Sequence, residues 1–134
     1  MAKKIIVFCG IATILLLMIV PSYLGFRFAE NENLVKTRLR ALYEANELYR
    51  RTHLPPEYPE SIQSLLKTDP PLVDETVLEN KKIGYLLIYD RRNGDKFSVI
   101  AKPQLKFLTG YHTFFIDETG IIRLNNAVGD PIDA

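Results

Sequence analysis

A chain of 134 residues, 47% hydrophobic and 25% charged, has room for one small core and no second domain, and is too apolar to stay disordered. Lys3 and Lys4 account for two of its 17 basic residues, leaving 15 against 16 acidic ones in the rest. A general nucleic-acid binder needs clustered positive charge to displace counterions from phosphate, so this balance argues against that class. The one cysteine, Cys9, has no second thiol in the chain to pair with, so the fold is expected to hold without an internal disulfide.

Residues 5–26, IIVFCGIATILLLMIVPSYLGF, carry no ionisable carboxylate, ammonium or guanidinium. As an α-helix rising roughly 1.5 Å per residue, this stretch reaches about 33 Å, enough to cross a hydrocarbon core of about 30 Å. Residues 1–26 therefore read as a single membrane-spanning segment, and Pro21 near its end is tolerated as membrane helices tolerate proline. A cleaved secretory signal is the competing reading, because Lys3 and Lys4 precede the apolar run. Pro21, Tyr23 and Leu24 crowd the place where small residues would mark a cleavage site. Orientation is not decided by charge: two lysines stand before the segment, and Arg27, Lys36, Arg38 and Arg40 follow it.

The remaining residues, 27–134, read as one globular domain. Over 27–53 there is no proline or glycine, and Val35, Leu39, Leu42, Ala45 and Tyr49 recur at helical steps, with Leu34, Ala41 and Leu48 alongside. Charged residues fill the other faces, so one side packs and the other is wet. With no breaker at the Phe26–Arg27 junction, the membrane helix is expected to run on into this amphipathic half as one helix of about 50 residues, against a usual 11–12.

Pro55, Pro56 and Pro59 stop the helix, and Ser61 opens a short one with Ile62, Leu65 and Leu66 on one face. The rest of 55–82 is polar and proline-marked, a loop with one helical turn around Asp74–Leu78. Residues 83–124 read as antiparallel sheet. Tyr85–Tyr89 and Phe97–Lys102 flank Asn93-Gly94, whose tolerance of positive φ suits a hairpin. Tyr111–Ile116 and Ile121–Leu124 flank Asp117-Glu118-Thr119-Gly120, a turn with Asp to open it and Gly to close it. Alternation puts Phe97, Val99 and Ala101 on one face, and Phe114 and Ile116 on one face of the next strand, where the helix stripe can bury itself. The expected fold class is α+β, a long N-terminal helix on a four-stranded antiparallel sheet, with 125–134 as a tail that has little to anchor it.

This order of elements, with Pro-Ser-Tyr-Leu-Gly near the end of the apolar helix, Tyr58-Pro59 before the Ser61 and Leu65 pattern, and the ending Phe114-Phe115-Ile116-Asp117-Glu118-Thr119-Gly120-Ile121-Ile122-Arg123, resembles the type IV pilins and the pseudopilins of type II secretion. The likeness covers roughly residues 11 to 124. It implies a pilin-like roll, a place in the bacterial cytoplasmic membrane with the domain facing outward, and assembly with other pilin-like subunits into a filament. Lys4, Pro21, Val35, Leu39 and Leu42 are the residues it brings forward for helix packing and assembly. One departure stands out. Matched on Pro21, the glutamate that these subunits carry early in the helix falls on Lys4, and the glycine before their cleavage point falls before Met1. The alternative is a membrane-anchored binding module with a pilin-like domain outside any filament.

No enzyme motif is present. His53 and His112 are isolated from each other, no metal spacing of the His-x-x-x-His or Cys-x-x-Cys kind occurs, and Gly-x-Ser-x-Gly and phosphate-loop patterns are absent. A non-catalytic protein with no cofactor and no small-molecule substrate is the expectation. Asn125, Asn126, Asp130 and Asp133 offer oxygens of the kind calcium takes, and some pseudopilins bind calcium near their C-terminus. The spacing of an EF loop is missing, and a solvated tail is the preferred reading. Tyr43, Tyr49, Tyr85, Phe97, Phe114 and Phe115 are read as packing residues and not as a ligand platform.

Overall fold

The computed structural model describes residues 2–79 and 83–132. Helix α1 runs from Ala2 to Thr52, 51 residues, straight through Pro21 and across the Phe26–Arg27 junction. Proline lacks an amide hydrogen, so the Leu17 carbonyl has no donor four residues on; near it, Ser22 Oγ donates to the Met18 carbonyl at 3.1 Å. Burial along α1 begins at Phe28, which is half-covered, and becomes complete at Val35, Leu39 and Leu42. Leu34 and Leu48, adjacent to the stripe in sequence, are instead exposed at 45% and 48%, because full cover is confined to the arc of 35, 39, 42, 45 and 46.

After Thr52 come a 3-10 helix, Ile62–Leu66, where an α-helical turn was expected, and α2, Glu75–Leu78, whose first turn is capped by Asp74 accepting the Thr76 amide. Ile62 and Leu65 are buried and Leu66 lies at the core's edge. The expected polar stretch up to Lys82 ends outside the described residues.

The sheet has four antiparallel strands in the order β1-β2-β3-β4: β1 Tyr85–Arg92, β2 Lys96–Pro103, β3 Phe114–Asp117 and β4 Arg123–Leu124. The chain is thus α+β, as expected. The β1–β2 hairpin pairs Arg92 with Lys96, so its loop holds three residues, with Asn93 at φ 54° and Gly94 at φ 77°. Tyr85, Phe97, Val99, Ala101, Phe114 and Ile116 are buried and form one cluster with Val35, Leu39 and Leu42. The Leu42 methyls and their neighbours thus leave water on both sides of the helix–sheet seam, each full burial contributing about 1.5–3 kcal/mol.

Three further expectations change. The strand expected from Tyr111 begins only at Phe114, because the Tyr111 and His112 amides are turned toward Glu32 of α1. The returning strand shrinks to two residues, leaving Ile121 at the surface while Ile122 is fully buried. The tail is anchored as far as Ile132. It folds back along β4, with the Leu124 amide donating to the Asp130 carbonyl and the Ile132 amide to the Ile122 carbonyl, both at 3.0 Å. Ile132 packs against the core. Phe115, on the outer sheet face, is only 8% exposed, and shares a cleft with Asn126 and Ala127 of that returning segment.

Candidate functional site: the exposed half of the helix

The five residues brought forward from the sequence divide into two places. Val35, Leu39 and Leu42 lie together at 0% exposure under the sheet, so they hold the domain to α1 and are closed to any second chain. Lys4 and Pro21 stand on the uncovered half of the helix. There the apolar side chains are open all round: Ile6, Phe8 and Leu17 are between 68% and 75% exposed. Such a surface is unstable in water and suited to lipid or to other apolar helices. The aliphatic hydroxyls of the segment are spent on the helix itself, Thr13 Oγ1 donating to the Cys9 carbonyl at 2.8 Å and Ser22 Oγ to the Met18 carbonyl. Tyr23 and Phe26, both exposed, end the apolar half where aromatic rings favour a membrane interface. One N-terminal helix is therefore long and apolar enough to span a membrane. Lys4 shares a shallow apolar surface with Val7, Phe8 and Ile11, so its ammonium stands at one end of this half beside no acidic group; the first carboxylate in the chain is Glu30.

At the other end of the apolar half, the first covered turns of α1 grip the domain through polar side chains. Asn31 Nδ2 donates to the Thr109 carbonyl at 2.8 Å. Glu32 Oε1 accepts the amides of Tyr111 and His112 at 3.0 and 3.1 Å and lies 3.1 Å from His112 Nδ1. Partial burial works to raise the Glu32 carboxyl, but the two backbone amides and His112 outweigh it and hold it below the usual value. Arg38 Nη1 donates to the Val77 and Glu79 carbonyls at 3.2 and 2.8 Å and ties down the segment around α2.

Deeper in the seam, Asn46 is fully buried. Its Nδ2 donates to the Leu42 carbonyl at 2.6 Å, and the Tyr89 hydroxyl lies 3.2 Å from its Oδ1 and 2.8 Å from the Pro59 carbonyl. With one proton, Tyr89 donates to one of the two at a time. Tyr58 donates to Glu47, accepts a hydrogen bond from Arg50 Nη1 at 3.4 Å, and packs its ring 4.7 Å from that of Phe97, tilted by 58°. Burial and the Glu47 bond push its hydroxyl up to about 12. Tyr85, donating to the His112 carbonyl, and Tyr89 are raised too, mainly by burial. These tyrosines with Tyr43, Tyr49, Phe97 and Phe114 are core and seam residues. Asn31, Glu32, Arg38 and Asn46 escaped the sequence reading because a polar residue on an amphipathic helix looks the same whether it faces water or a loop 40 to 80 positions away.

Among the described residues no three His, Cys, Asp or Glu side chains gather as a metal site. Of the tail oxygens weighed for calcium, Asn126 Oδ1 accepts the Val128 amide and the Asp130 carbonyl accepts the Leu124 amide; Asp133 lies outside the described residues. Compared with known protein families, curated proteins and solved structures, the chain matches none.

Proposed function

We propose that this chain is a pilin-like structural subunit, held in the bacterial cytoplasmic membrane by the apolar half of α1 with its domain on the outer side, and assembling with other pilin-like subunits in a type IV pilus or type II secretion-like filament. One observation carries the reading: a single continuous helix is bare and apolar over its first half and seated in an antiparallel four-stranded sheet over its second. A helix of that kind can serve as membrane anchor before assembly and as part of an apolar filament core afterwards. The sheet then supplies the outer surface. The role needs no catalytic group, cofactor or small substrate.

Lys4 shapes how such a subunit assembles. An unpaired ammonium among packed apolar helices is expensive, and a facing carboxylate offsets the cost. This chain has none to offer from its own apolar half, so the ammonium either stays at the helix end in polar surroundings or pairs with a carboxylate of a partner subunit, and the second arrangement makes this an accessory subunit in a mixed assembly.

The test is recovery of the protein in filaments sheared from intact cells, with protease added to spheroplasts to establish the side of the domain. The expected result is digestion of the domain without permeabilisation, co-recovery with the filament, and a changed yield for Lys4→Glu. If the protein never appears in sheared fractions and Lys4→Glu changes nothing, the anchored binding module replaces the filament subunit. Digestion only after permeabilisation reverses the orientation.

A further inference from the structure

The loop 104–113, between β2 and β3, exposes four large apolar side chains within seven positions: Leu105 at 58%, Phe107 at 56%, Leu108 at 59% and Tyr111 at 53%. Single exposed apolar residues are ordinary, but a cluster marks a contact surface. The loop is built to hold that display. The Thr109 amide and its hydroxyl both donate to the Leu105 carbonyl, at 2.9 and 3.1 Å, the Leu105 amide donates back to Thr109 Oγ1 at 3.2 Å, and the Phe107 amide donates to the Gly110 carbonyl at 3.1 Å. Phe107 sits at φ 68°, a conformation that a bulky residue rarely adopts and that the surrounding bonds maintain.

Its position in the molecule says what it meets. The loop's far side is fastened to α1 at Asn31 and Glu32, through Thr109, Tyr111 and His112. Asn31 is five residues past Phe26, the end of the apolar half, which is about 7 Å along the axis. The headgroup layer outside a hydrocarbon core is about 5–8 Å deep. The loop therefore stands beside the helix at the level where the helix leaves the lipid. Charge agrees with this: residues 102–113 contain Lys102 and Lys106 and no carboxylate, and Lys106 Nζ lies over the Phe107 ring at 5.5 Å.

We infer that the 105–111 loop is a second membrane contact, its apolar side chains entering the headgroup region of an anionic bilayer while the lysines meet lipid phosphates, so that the domain is held against the membrane surface at a set tilt. The inference rests on α1 being the membrane anchor. Aromatic and basic residues are what such an interface accommodates.

The chain contains no tryptophan, so single replacements report their own surroundings. The full-length protein is reconstituted into phosphatidylethanolamine–phosphatidylglycerol vesicles with lipids brominated either near the headgroup or deep in the chain. Four variants are compared: Phe107→Trp, Leu108→Trp, Leu86→Trp on the outer sheet face, and Met18→Trp in the apolar half. The expected result is blue-shifted emission for both loop variants and quenching by shallow-brominated lipid about twofold or more above that of Leu86→Trp, with Met18→Trp quenched by the deep label. Using two loop positions guards against loss of folding at the strained Phe107. If Met18→Trp is quenched and neither loop variant is, whether wet or shielded by a second copy of the protein, the loop contact is wrong and the anchor stands. If Met18→Trp is not quenched, the anchor fails and the loop contact falls with it.

Discussion

Replacing Leu42 by Ala removes a side chain at 0% exposure from the middle of the helix–sheet seam, where it belongs to the same cluster as Tyr85, Phe97, Phe114 and Ile116. Truncation there loses the transfer free energy of the deleted groups and leaves a cavity that the sheet, hydrogen-bonded across four strands, fills only in part. The expected cost is about 2–5 kcal/mol. A domain of this size has only about 5–15 kcal/mol in total, so the variant forfeits a large share of it. At about 4 °C per kcal/mol its melting temperature falls by about 8–20 °C. Leu48→Ala is the matched control: the same chemistry on the same helix, but at 48% exposure, with an expected change within about 0.5 kcal/mol. The assay is urea and thermal unfolding of the full chain in detergent micelles, followed by near-ultraviolet dichroism of the tyrosines, six of which lie in the domain and only Tyr23 in the micelle-bound half. Equal losses for Leu42→Ala and Leu48→Ala would refute the placement of the seam.

The other predictions concern titration and close approach. Because Glu32 has a folded pKa below its ordinary 4.5, its contribution is complete above that value and disappears as pH falls through the lower folded value. Unfolding midpoints should drop across this acid range, and Glu32→Gln should flatten that part of the curve. Tyr58, raised from 10 to about 12, stabilises the folded state fully below pH 10 and loses that contribution as pH climbs toward 12, with Tyr85 and Tyr89 acting in the same sense. Absorbance titration should therefore show late-ionising tyrosines, and stability should fall steeply on the alkaline side; ordinary titration of all seven would contradict the burial of these three. Gly110→Ala would drive a Cβ into Tyr85 Oη and cost about 1–3 kcal/mol, measured by the same unfolding assay, whereas Gly25→Ala meets no atom within 4 Å and leaves the domain unchanged.

What the sequence determined by itself was the part that depends on neighbours in the chain. The spacing of Val35, Leu39 and Leu42 names the buried face because a helix repeats every 3.6 residues, and residues 5–26 declare a membrane-competent helix because they lack charge over its whole length. Prolines after His53 mark the helix end, Asn93-Gly94 marks the hairpin, and alternation from Phe97 to Ala101 marks the inward face, each for a local steric reason. Tertiary structure decided whatever rests on a partner far along the chain. Asn46 is buried because Tyr89 accompanies it across 43 positions, and the Tyr111–Thr113 segment leaves the sheet because Glu32 offers its amides a carboxylate 79 and 80 positions away. Phe115 gains cover and the C-terminal segment gains anchorage from each other and from β4, which neither composition nor periodicity encodes. A polar residue carries no mark of whether it will meet water or a distant backbone group. An unpaired buried group is costly enough that the folded chain supplies the partner, and only the folded chain shows which one it is.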